Sequence, residues 1–192
     1  VSGIVTPMTA SPRPNRGPGA AADNRAALIR AARNVFAENG FEAPMTSIAR
    51  TAGVGQGVLY RHFPTRESLA LAVFDENITE IEAIADDPAA TVDDILTAVV
   101  EQITTSAAFI AMIDPTSTED VRLFEAAWRM INLITVKLED PGLRGSLRGD
   151  ITTADVILAI SMLAAILTKT EPQSREATSR QAWRLLSRGL TG

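Results

Sequence analysis

The chain of 192 residues has no cysteine and a single histidine. Without cysteine there is no disulfide framework, no thiolate nucleophile and no Cys-ligated metal, a composition that fits a reducing cytoplasm. One histidine, His62, removes any multi-histidine metal site or histidine relay. Long hydrophobic runs are missing too. The nearest to one, Val156 to Leu167, contains Ser161 and is too short to span a bilayer, so no membrane partner is expected. There is no GxSxG, P-loop, HExxH or glycine-rich dinucleotide fingerprint. The carboxylate pairs Asp86-Asp87 and Asp93-Asp94 fall at helix boundaries, where the helix dipole accounts for them. No catalytic residue, metal site or cofactor is expected, and the chain reads as something other than an enzyme.

What is present is ordinary in amount and unusual in distribution. Hydrophobic residues make up 46% and charged residues 21%, as in a soluble globular protein. The net charge is −5. Within residues 1–66, eight arginines (13, 16, 25, 30, 33, 50, 61 and 66) face only Asp23, Glu38 and Glu42, a net +5, which leaves −10 for the remainder. A basic head on an acidic body points to a polyanionic partner at one end only.

Residues 1–22 are rich in Pro, Gly, Ser and Ala, with no apolar segment after a basic start. They read as a disordered tail rather than a secretory signal, with Arg13 and Arg16 available to a nucleic-acid backbone. From Asn24 to Asn39 the apolar residues Leu28, Ile29, Ala32, Val35 and Phe36 recur on one helical face, capped by Asp23 or Asn24 and ended at Asn39-Gly40. Arg25, Arg30 and Arg33 fall on its exposed positions. The stretch Pro44 to Arg66 holds a short helix with Ile48, Ala49 and Ala52 inward and a turn at Gly53. A second short helix, about Gln56 to His62, turns Leu59 and Phe63 inward. This is a helix-turn-helix, whose second helix is sized for the DNA major groove. Thr65 caps a long helix that runs on to about Asp86 and ties head to body.

Beyond it the chain is helical throughout. Thr91 opens a helix with a capping box, running to about Met112, and another spans about Glu119 to Leu138. A Pro/Gly-rich connector covers 139–150. Thr152 or Thr153 caps a helix to about Thr168 that is apolar nearly all round and expected to be buried on most sides. The last helix runs from about Ser174 to Leu190. The expected fold is all-α: a three-helix head joined by a long helix to a helical body, with residues 23–68 as DNA-binding domain and 69–192 as the body.

The run AGVGQGVLYRHFPTRESL, with AGV, LY, HF and a basic residue in that order, resembles the helix-turn-helix signature of the TetR family of bacterial transcriptional regulators. The resemblance covers roughly residues 24–74. Gly55 stands where a serine cap is common, and Val58 where threonine is common. The resemblance implies a cytoplasmic homodimer, a repressor bound to a palindromic double-stranded DNA operator and released by a small-molecule effector. Carried over by position, the DNA contacts are Thr46, Gln56, Gly57, Tyr60, Arg61, His62 and Arg66, with Arg50, on the exposed side of the first motif helix, a secondary candidate; residues 69–192 would be the effector-binding and dimerisation domain. An apolar effector pocket would draw on Phe74, Ile78, Ile103, Phe109, Met112, Phe124, Trp128 and Met130. The last two helices would form the dimer interface through Val156, Ile160, Leu163, Trp183, Leu186 and Leu190. The competing readings are an enzyme, a helical interaction module with no DNA role, and a TetR-like regulator without an effector.

Overall fold

A computed structural model describes residues 18–106 and 121–192. Among the described residues there are eight α-helices and no strand. In chain order they are α1 Pro18–Asn39, α2 Met45–Thr51, α3 Gln56–His62, α4 Arg66–Ala85, α5 Val92–Thr105, α6 Val121–Glu139, α7 Thr153–Thr168 and α8 Arg175–Leu190, with a 3-10 turn at Pro172–Ser174 before α8. The all-α architecture expected from the sequence is the one adopted.

The head forms because α1 lays Leu28, Ala32 and Phe36 across Ile48 and Ala49 of α2, Leu59 of α3 and Leu69 of α4, all of them buried. The same apolar cluster continues without a break into the body. There α4 packs on α5 and α6, and α5 also packs on α7 and α8. Helix starts are fixed locally. Reciprocal capping boxes pair Thr65 with Ser68, Thr91 with Asp94 and Thr152 with Asp155, each satisfying otherwise orphaned N–H groups.

Two expectations need correction. The first helix starts at Pro18, not Asn24, so residues 18–22 are its opening rather than tail. Pro18 supplies a preset first helical position, and Ala20 to Ala22 propagate it. Residues 1–17, with Arg13 and Arg16, lie outside the described residues. Helix α5 ends at Thr105 instead of near Met112. Ser106 is extended there, its N–H still bonding back to Gln102 O at 2.9 Å, and Met112 lies outside the described residues. Within a single protomer α7 is covered on one face. Val156, Ala159, Ile160, Leu163 and Leu167 are buried, while Leu158, Met162 and Ile166 stand in solvent.

Ion pairs cross from α4 in two directions. Arg33 of α1 reaches Glu80 at 2.8 Å and Glu76 at 3.4 Å. Arg129 of α6 grips Glu82 through two nitrogens and also reaches Asp75 and Thr79. The Arg129 hydrogen bond holds the Glu82 carboxyl below its ordinary value, and Glu82 raises the guanidinium in turn.

Candidate nucleic-acid interface

The reading unit is built around one positive φ. Gly53 has φ 68°, a conformation costly for any residue with a Cβ, and this turns the chain between α2 and α3. The N–H groups of Gly53 and Val54 then bond back to Arg50 O and Ala49 O at 3.1 and 3.0 Å. Val54 plugs the corner against the core. Gly55 caps α3 without a side-chain bond, so the first turn is held only through its carbonyl, which accepts from Val58 and Leu59. Leu59 and Phe63 are buried. That fixes the rotation of α3 and turns the rest of its surface outward.

On that surface Gln56, Gly57 and Arg61 are exposed, Tyr60 is 47% exposed, and Val58 and His62 are half-buried. Thr46 and Arg50 are exposed on α2. Gly57 is informative because nothing among the described residues asks for glycine there. Its φ is not positive, and a Cβ would meet no atom within 4 Å. Beside the end of α3 lies an open cleft of about 550 Å³ between α1, α3 and α4, with His62, Thr65 and Ser68 in its wall. Arg25 overhangs it, its guanidinium 5.5 Å from the centre of the Phe63 ring. A cation over an aromatic face is held without losing its charge.

Two arginines are employed differently from expectation. Arg66, carried over as a DNA contact, is half-buried and donates from one terminal nitrogen to Phe41 O and to Ala43 O at 2.7 Å, with its guanidinium over the Phe41 ring. It fastens the start of α4 to the α1–α2 loop. Arg33, expected to be a solvated position on α1, is tied to α4 as described above. Neither role had a signal in the local sequence, because the partners are distant in the chain or are backbone carbonyls.

In the body the expected pocket residues divide. Phe74, Ile78, Ile103 and Met130 are buried. Phe124 and Trp128 are 64% and 67% exposed, which removes them from an interior pocket. The cause is the rotation of α6: Ala126, Met130, Ile134 and Leu138 make its inward stripe, leaving 124 and 128 on the opposite side. Phe109 and Met112 lie outside the described residues. The expected interface residues Val156, Ile160, Leu163 and Leu190 are likewise corrected, since the protomer's own core buries them; Trp183 and Leu186 are half-buried. The face left open instead is Leu158, Met162 and Ile166 on α7, with Leu185 on α8. Among the described residues no group of three or more acidic, histidine or cysteine side chains is placed to hold a metal, and no helix is long and apolar enough to cross a membrane.

Comparison with known proteins agrees with this geometry. The family described as bacterial regulatory proteins, tetR family, matches residues 28–73, which run from α1 through the helix-turn-helix into α4. The A-factor receptor protein of Streptomyces griseus is 39% identical over 56 residues, 29% of this chain and 20% of that protein. The regulator UidR of Escherichia coli K12 is 40% identical over 50 residues, 26% of each chain. The match thus spans about a quarter or less of the length of these relatives. A TetR transcription regulatory protein from Mycobacterium vanbaalenii has a solved structure that aligns over 91% of this chain and 98% of its own, with a TM-score of 0.59 and 26% identity. Residues 28–73 are thus similar to the tetR family of bacterial regulatory proteins, and the all-helical body behind them shares the fold of a solved TetR regulator.

Proposed function

We propose that the protein is a dimeric repressor that reads a palindromic operator in double-stranded DNA and is released when a small apolar molecule enters the body. In this reading residues 23–68 are the reading domain, residues 69–192 bind the effector and pair two copies, and the setting is the cytoplasm. The carrying observation is the outer surface of α3. Gln56, Gly57, Tyr60 and Arg61 are exposed together on one short helix and engage no partner among the described residues.

Each has a task suited to its chemistry. Gln56 offers an amide for bidentate contact with adenine N6 and N7. Gly57 lets the backbone approach the groove closely. Tyr60 and His62 donate to phosphate oxygens, Thr46 stands at a helix N-terminus that favours phosphate, and Arg61 serves either phosphate or guanine. Arg25 and Arg50 add positive charge at the margins. A single short helix makes too few contacts for specific binding, so two copies read half-sites one turn or a multiple apart. Pairing through Leu158, Met162, Ile166 and Leu185 would hide the apolar face that the protomer leaves open. An effector among Phe74, Ile78, Ile103 and Met130 would act by binding the two orientations of α4 unequally. That a relative is named a receptor supports an effector here as well.

The test is selection of bound fragments from random duplex DNA, followed by affinity measurement across a salt series. The expected result is a palindromic site whose affinity falls steeply with ionic strength. A protein that stays monomeric and ignores palindromic DNA at low salt overturns the proposal.

A further inference from the structure

Three buried side-chain atoms find no hydrogen-bond partner among the described residues. Two are arginine Nε atoms, of Arg33 and Arg175, and the third is Asn77 Oδ1. Asn77 is 0% exposed on α4, between Phe74 and Ile78 on the inward face, with Ile81 one turn on and Ile103 of α5 also buried. Its Nδ2 makes one long bond, 3.4 Å, to Ser106 Oγ at the end of α5. A buried amide oxygen that loses water and gains no donor is costly, and native proteins seldom leave one so without a reason. The helix-interior position gives no reason, since every other inward residue of α4 from Leu69 to Ala85 is apolar.

We propose that Asn77 is the polar anchor of the effector site. It takes a neutral amphipathic molecule whose hydroxyl or amide N–H donates to Oδ1, while the apolar part lies against Phe74, Ile78 and Ile103. This deepens the reading of the body as an effector domain and rests on it. Neutrality follows from the surroundings. Among the described residues, the side chains that share the inward face of α4 with Asn77, namely Phe74, Ile78 and Ile81, carry no charge, and Arg129, the cation that binds α6 to α4, is spent on Glu82, Asp75 and Thr79. An ionised group placed there would lose its hydration without a counter-ion. A donor on the ligand also acts on the helix that matters, because Asn77 belongs to α4, which reaches from head to body.

The probes are straight-chain primary alcohols of about six to twelve carbons and methyl ethers of matched length, which keep the apolar part and the oxygen but remove the donor. Titration calorimetry on the full chain should show each alcohol binding about tenfold more tightly than its ether, the worth of one hydrogen bond. Asn77→Leu should erase that gap and raise the melting temperature of the ligand-free protein by about 2–4 °C, because the orphaned oxygen is gone. Equal binding of alcohol and ether, no binding of either series, or a lower melting temperature in Asn77→Leu overturns the assignment; the first two are read on the unmodified protein and do not depend on the variant folding. Release from the selected operator is measured alongside by fluorescence anisotropy. An alcohol preference without release leaves the anchor in place and removes the regulatory reading, whereas release without an alcohol preference does the reverse.

Discussion

Head and body leave opposite kinds of surface uncovered. On α3 the open residues are Gln56, Tyr60 and Arg61, groups that keep their hydration until something polar and charged replaces it. On α7 and α8 they are Leu158, Met162, Ile166 and Leu185, groups that gain simply by leaving water. On the proposed reading the two faces come under different physical control. On that reading contact through the head would weaken as counter-ions compete for phosphate, while contact through the body would be nearly indifferent to salt. The net charge of −10 beyond residue 66 adds to that separation, since an acidic surface repels DNA.

The sharpest way to break that contrast is to place a charge on the apolar face. Met162→Asp should give a folded monomer in sedimentation, with operator affinity down on the order of 100-fold or more, because the second head is no longer delivered with the first. A variant that stays dimeric would place the pairing surface elsewhere. On the head, Gln56→Ala should cost about 1–3 kcal/mol at the preferred site and little on random DNA, whereas Tyr60→Phe should weaken both alike. A gel-shift series in which Gln56→Ala lowers both equally sinks its base-reading role. Arg66→Ala separates fastening from reading: with two backbone carbonyls released, urea denaturation should show a loss of about 1–3 kcal/mol. Unchanged stability with weaker DNA binding would return Arg66 to the phosphate contacts.

Gly57→Ala should stabilise the protein by up to about 1 kcal/mol, since glycine is a poor helix former and the space is free, yet reduce DNA affinity. Better folding with unchanged affinity would mean that the backbone does not approach the groove. The smallest effect is acid sensitivity in the body. Hydrogen bonds from Arg129 lower Glu82, and those from Thr91 and Thr152 lower Asp94 and Asp155. Folded values below the unfolded ones mean that this stabilisation is complete above the unfolded carboxylate range, near pH 4, and fades as pH falls through the lowered values. Urea midpoints at pH 7, 4 and 3 should decline in that order, and Arg129→Gln should shrink the decline.

The parts of this molecule that could be read from sequence are those specified by neighbours in the chain. Capping residues Thr65, Thr91 and Thr152 act three positions away, and the turn at Gly53 needs nothing beyond its own backbone. What escaped was rotation. Helix α6 carries one apolar stripe through Ala126, Met130 and Ile134 and a second through Val121, Phe124 and Trp128. Both have helical spacing, and the larger side chains suggest the wrong one. Helix α7 is apolar on every side, so its pattern carries no information about which face the protomer covers. Arg66 and Arg129 escaped for another reason, since their partners are carbonyls or carboxylates brought near only by folding. Asn77 did leave a trace, as a polar residue in the inward register of α4.

Helix α4 has 20 residues, so it is a rod about 30 Å long. Held by Arg129 through Asp75, Thr79 and Glu82 and carrying the head at its other end, it has the length to serve as a lever arm on the proposed reading. A tilt of about 6° at the body swings the Thr65 end by about 3 Å, roughly the rise between neighbouring base pairs. In a two-fold dimer both arms swing together and the error doubles, so a modest rearrangement around Asn77 would be enough to put two reading helices out of step with one turn of the duplex.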